Sequence, residues 1–400
     1  MQKTNNKKVI TLVALVITII ILLIVAAISI QALTGSRLFG KSHITNVNTS
    51  ETNPVGAMPK GATVIEGDAN KGIVIKDSND NEWVWVEVPK TETEGKTKDK
   101  DIEEALQKYA GDYRKNWTDD KWYAIDGDKL VTASTDNLTT EQKALKNGCG
   151  LTYDEYNTAK SKILQSIKTN GGFWISRYEA GIAGTNTDAT SDEIPNVRYS
   201  HRDITKDSPK AVSQADRIPY NYVYCSEAQT LASAMSTDSN KTSSLLFGIQ
   251  WDLTCKFIET KTNLTTADIK KDSASWGNYR NSSITLTRGR YNVSPSSSSS
   301  VWKKFDVNTD NVTGSQTSDN INYNQLLTTG ASEQTNKMNI YDFAGNVWEW
   351  TLEKPSGASY PCALRGGSFD RNGSDLPASG CIDEDNTFGY SYIGFRSTLY

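Results

Sequence analysis

Histidine is almost missing from the chain: His43 and His201 are the only two in 400 residues. Two scattered imidazoles cannot build a histidine metal cluster, and they leave no spare parts for a Ser-His-Asp set. His43 falls in a linker. His201 lies in the polar run Arg198-Tyr-Ser-His-Arg202 and reads as a surface group. Cysteine is also scarce, with five residues: Cys149, Cys225, Cys255, Cys362 and Cys381. None forms a CxxC pair, which argues against a thiolate metal cluster. The odd count leaves at least one thiol free or paired between chains. Cys362 and Cys381 flank an Arg-Gly-Gly block and could pair in an oxidising compartment. An excess of positive charge is lacking too. With 43 basic and 47 acidic residues and a net charge of -4, there is no electrostatic footprint for nucleic acid. No internal repeat is visible.

Long apolar runs are absent after residue 30, so the one before it stands out. Val9 to Ile30 carries no charge. A helix of about 20 such residues spans a bilayer core. Lys3, Lys7 and Lys8 precede it, which places the N-terminus inside and the bulk of the chain outside. The expected organisation is a cytoplasmic leader at 1–8, a single transmembrane helix at 9–30, a spacer at 31–62 containing Pro54 and Pro59, and a folded domain at 63–400. That domain would face outward from a bacterial surface. The segment Lys7-Lys8-Val9-Ile10-Thr11-Leu12 also resembles the start of type IV prepilins. Val9 replaces the expected Gly, and Ala14 the expected Glu.

Gly72-Ile-Val-Ile-Lys76 and Glu82-Trp-Val-Trp-Val-Glu-Val88 flank Asp77-Ser-Asn-Asp-Asn81, which predicts a hairpin. Residues 90–170 read as an insertion with helices over 102–109 and 139–166. A buried strand is expected near 171–181 and a strand at 220–224. Helices follow at 225–234 and 251–260, the latter with one apolar face. Residues 272–334 read as a long surface loop with short strands.

The C-terminal quarter carries the densest pattern. Asn339-Ile-Tyr-Asp-Phe-Ala-Gly-Asn-Val-Trp-Glu-Trp350 is followed by Leu364-Arg-Gly-Gly-Ser368 and Ile393-Gly-Phe-Arg396. Strand alternation puts Trp348 and Trp350 inward and turns Glu349 the other way. Asp342, Asn346 and Glu349 offer hard oxygen donors, so calcium is a candidate cofactor. Arg365 and Arg396 offer planar forks for carboxylates.

These three blocks, in this order, resemble the formylglycine-generating enzyme / sulfatase-modifying factor family. Arg177-Tyr-Glu179 and the 225–234 and 246–258 segments are weaker echoes of it. The resemblance implies an α+β, C-type-lectin-like fold over roughly 63–400. It also implies a calcium loop made by Asn346 and Glu349 with the backbone of Gly345 and Val347. The family's oxidases bind copper through a close cysteine pair near the C-terminus, where this chain has only Cys381; its iron-dependent relatives use a histidine cluster. Neither copper nor iron is therefore expected, and no catalytic residue is assigned.

The segment between the blocks, 368–392, is similar to the variable region of proteins diversified by retroelements. Its candidate ligand-binding residues are Ser368, Phe369, Asp370, Arg371, Asn372, Ser374, Asp375, Asp383, Asp385, Tyr390 and Tyr392. Tyrosine, serine and asparagine at a rim supply rigid contacts and adaptable hydrogen bonds. The expected function is display of a binding surface toward a protein or glycan, with the membrane as the other partner. An oxidase of the same family and a pilin-like structural subunit are the alternatives.

Overall fold

The computed structural model describes residues 52–113, 121–126, 129–134, 138–185, 190–305, 325–353 and 360–400. The expected transmembrane helix at 9–30, its leader, and the spacer up to residue 51 lie outside the described residues. Among the described residues no helix is long and apolar enough to cross a membrane.

The expected hairpin forms, with Val74–Lys76 paired antiparallel to Glu82–Glu87. Its turn is held by Asp77, whose Oδ1 accepts from the Asn79 and Asn81 amides at 2.8 and 3.0 Å. Asp80 takes the left-handed conformation there, at φ 60°. The hairpin founds a six-stranded antiparallel sheet. Its order is Thr63–Glu66, Val74–Lys76, Glu82–Glu87, Gly172–Ser176, Ser397–Leu399, Ser243–Leu245. Trp85 stands directly opposite Trp174, and their rings meet edge to face at 5.0 Å. Such cross-strand aromatic pairs add to the energy of burial alone. Ser397–Leu399 lies inside this sheet, between Gly172–Ser176 and Ser243–Leu245.

A second sheet carries the sequence blocks. Cys381–Glu384, Cys362–Arg365, Trp348–Thr351 and Ile393–Phe395 pair in that order, the last two in parallel. A third joins Leu326–Leu327, Arg290–Asn292, Val301–Lys304 and Glu193–Pro195.

Four expectations need correction. The helix expected over 139–166 is two helices, Thr140–Ala144 and Tyr153–Asn170, each opened by a threonine capping box at Thr139 and Thr152. Gly148 and Gly150 break the run between them. The strand expected at 220–224 does not form, because Tyr222 sits at φ 54° and turns the chain into the helix Cys225–Ser233. Helix Gly248–Lys261 is buried all round from Gly248 to Cys255, not along one face. Residues 272–305, part of the expected surface loop, are anchored in the core, since Trp276, Tyr279, Ile284, Leu286 and Trp302 are buried; 306–324 lie outside the described residues. Polar composition hid these anchors, which are widely spaced and follow no regular period. Within 90–170, the described parts 90–113 and 138–170 pack into the core through Ile102, Leu106, Cys149, Ile163, Leu164 and Ile167.

Candidate functional site

The blocks form a frame riveted by buried charge. Glu349 is buried, 1% exposed. Both of its oxygens accept from Arg396, at 3.0–3.2 Å. All four residues of Trp348–Thr351 are buried, so both faces of this strand are covered. Arg396 also donates to the carbonyls of Ser176 and Tyr341, joining the two large sheets. Arg365 ties its strand to helix Gly248–Lys261 through Asp252, and also meets Glu353 (3.3 Å) and the Ser379 carbonyl (3.0 Å).

These contacts bear on calcium. Asn346 Oδ1 accepts from Asn278 Nδ2 and from the Leu327 amide, at 2.9 and 3.0 Å. Its Nδ2 donates to Glu179 at 2.7 Å, and the Val347 amide donates to the same carboxylate at 3.1 Å. Glu349 is held by Arg396. The two side-chain ligands proposed, Asn346 Oδ1 and the Glu349 carboxylate, thus already accept from donors of this chain, so calcium would have to displace those donors to use them. What the residues form is a carboxylate cluster with too little positive charge. Burial, then Asp342 and Glu349, hold the Glu179 carboxyl well above its usual range. Burial pushes Glu349 up to about 7 against the pull of Arg396, and burial also raises Asp342.

The segment 368–392 divides. Ser368 and Phe369 are buried and belong to the frame, so Phe369 is not presented to a ligand. Ser368 Oγ donates to Asp370 at 2.5 Å, and the Phe369 amide donates to the Asn346 carbonyl at 3.0 Å. Asn372, Ser374 and Asp375 form a turn: Asn372 accepts from Arg280 Nε at 3.1 Å and donates to Asp375 at 3.0 Å. Ser374 and Asp375 are exposed. Asp385, also exposed, accepts from Thr387 and caps its own turn.

Asp370, Arg371, Tyr390 and Tyr392 come together. The rings of Tyr390 and Tyr392 stack at 5.4 Å and 4°, and Phe388 meets Tyr390 at 4.4 Å. Tyr390 is 45% exposed. Burial, then the charge of Asp370 and the neighbouring Tyr390, push the Tyr392 hydroxyl up to about 12, while Arg371 pulls it down. Glu384 belongs to the same patch; burial, then Asp383 and Asp385, raise its carboxyl. On the far side, Gly389 packs on the Tyr224 ring, which stacks on His201 at 3.7 Å. His201 Nε2 lies 3.0 Å from Glu227. Phe388 and Glu384 were missed from sequence. The alternation of Phe388, Tyr390 and Tyr392 was the readable signal for the first, whereas Tyr224 and His201 had none.

The thiols fall differently from expectation. Cys362 stands opposite Glu384 and Cys381 opposite Arg365 in one antiparallel pair. Three residues of strand separate the two cysteines by roughly 10 Å, beyond the reach of a disulfide. Cys381 donates to Glu353 at 3.6 Å. Cys362 instead meets Cys149 and Cys225, all three buried with their sulfurs within 4.8 Å of one another. Sequence spacing could not show this, because each comes from a different segment.

The sulfatase-modifying factor enzyme 1-like domain family matches residues 165–399. No curated protein matches. Among solved structures, CarF is similar at 14% identity over 79% of this chain and 85% of that one, with a TM-score of 0.20. Treponema denticola variable protein 1 is similar at 15% identity over 86% and 92%, with a TM-score of 0.21. Scores at that level carry no functional inference. On the match over residues 165–399, with its three C-terminal blocks in one sheet, the chain belongs to the sulfatase-modifying factor enzyme 1-like domain family.

Proposed function

We propose that this domain is a binding module, not an enzyme, whose frame holds up a recognition surface for a protein or glycan. The observation that carries it is the Phe388–Tyr390–Tyr392 ladder beside Asp370, Arg371 and Glu384. Stacked tyrosines lose little side-chain entropy on binding, and flanking charges supply direction. The frame beneath is buried and charge-paired, which favours a surface organised before a ligand arrives and so lowers the cost of association. An oxidase would require a close thiol pair in this region, and Cys381 is the only cysteine after Cys362.

In this reading the apolar run 9–30 anchors the chain and the domain is displayed outward. The 368–392 segment is the part that a retroelement would diversify. The test is direct. Full-length protein in detergent is screened on glycan and surface-protein arrays, alongside Tyr390→Ala and Arg371→Ala. A ligand whose capture falls at least about tenfold in both variants supports the reading. Capture unchanged by both would end it. Sequencing the locus across isolates tests diversification, which requires differences concentrated in the codons of 368–392.

A further inference from the structure

The sulfurs of Cys149, Cys225 and Cys362 form a buried group that ligand display does not use. We propose that they are a closed site for a soft d10 metal ion, Zn(II) or Cu(I), held by sulfur alone. The proposal is independent of the ligand reading above.

Geometry supports it. At a metal–sulfur distance of about 2.3 Å, sulfurs around one ion lie about 3.8–4.0 Å apart, the range running from a tetrahedron to a flat triangle. Cys149 and Cys225 are 3.6 Å apart, and all three sulfurs lie within 4.8 Å of one another. An ion can therefore be seated with sub-ångström movements. The cluster contains neither histidine nor carboxylate. An all-sulfur set selects soft ions over hard ones.

The backbone is shaped to make the cluster. A Cβ on Gly148 would stand 2.8 Å from the Cys362 sulfur and equally close to Pro361. A Cβ on Gly150, at φ +76°, would stand 3.0 Å from Ser226. Two glycines thus let the 147–151 turn press Cys149 against its partners. Asn147 Oδ1 fixes that turn by accepting from the Cys149 and Leu151 amides at 3.0 and 3.2 Å. Cys225 is the first residue of the helix Cys225–Ser233. Cys362 sits on an inner strand of its sheet.

The site also has a place in the architecture. The Cys225 amide donates to the Asn386 carbonyl at 3.2 Å, and Cys362 pairs with Glu384. An ion here would pin the loop 385–392 at its base to the 147–151 turn.

The test uses full-length protein in detergent, isolated without added reductant and assayed for bound metal and disulfides by mass spectrometry. Reduced, metal-free protein is then titrated with Zn(II), Cu(I) and Cd(II). The expected result is one ion per chain, a sulfur-to-cadmium charge-transfer band, and an X-ray absorption shell of sulfur alone at about 2.3 Å. Cys225→Ser should weaken binding more than about tenfold, with Cys255→Ser unchanged. The absorption shell is read on the unaltered protein, so it stands even if Cys225→Ser fails to fold. Failure to bind one equivalent of any of the three ions, oxygen or nitrogen in the shell, or a Cys149–Cys225 disulfide in the isolated protein overturns the proposal.

Discussion

The frame and the segment it displays are neighbours in sequence but opposites in physical character. In 339–350, 364–368 and 393–396 nearly every side chain is buried, charges included. In 370–392 polar side chains bond mostly to near neighbours, as Asn372 does with Asp375 and Asp385 with Thr387. The difference teaches where substitution is tolerated. A buried charge depends on a partner far along the chain, whereas a local turn can be rebuilt from many residues.

The sharpest way to break the contrast is Arg396→Met. It strands Glu349 beside Glu179 and Asp342, and loss of one partner of a buried pair costs about 3–5 kcal/mol. Urea unfolding should show that loss; a cost under about 1 kcal/mol would mean the rivet contributes little. Gly367→Ala comes next. Gly367 sits at φ +77°, and a Cβ there would lie 2.3 Å from the Leu376 carbonyl. Strain of about 1–3 kcal/mol is expected, measured by the same unfolding curves.

The third test is pH. A carboxyl held above its unfolded value keeps its proton longer in the folded state, so folding takes up protons in that window. Glu349 moves from 4.5 to about 7. Stability should therefore fall, not rise, as pH increases between those two values. Asp342→Asn should flatten that fall. Its Oδ atoms accept from the Gly330 amide and Thr335 hydroxyl, roles that an amide and a rotated hydroxyl can share. Asparagine also tolerates the φ of 56° at this position. A steeper slope in the variant would disprove the charge-crowding account.

The display segment should behave oppositely. Arg371→Ala should change stability by no more than about 0.5 kcal/mol while removing ligand capture. Calcium should do least of all. Because Asn346 and Glu349 are already filled, adding calcium or a calcium chelator should leave Tm unchanged. A rise in Tm with calcium would show that Asn346 and Glu349 exchange their present partners for the ion.

Several parts of the molecule were legible without coordinates, all of them local. The hairpin at 74–87 follows from β-branched and aromatic runs about an Asp/Asn turn. A helix start at Thr139 was also readable, whereas the second start at Thr152 was not read. The three C-terminal blocks were readable as a frame because their glycines and aromatics sit at fixed short spacings. Among the expected ligand-binding residues, Arg371 and Tyr390 are exposed, but Ser368 and Phe369 are buried.

What the sequence alone determined was which short segments turn, cap and pair, since those depend on residues a few positions apart. The tertiary structure decided the rest. It buried Glu349 on Arg396, filled the oxygens of Asn346, separated Cys362 from Cys381, and gathered Cys149, Cys225 and Cys362 into one cluster. Each of these outcomes depends on which distant segment covers a face. No local periodicity encodes that, because the covering partner is chosen by the packing of the whole sheet.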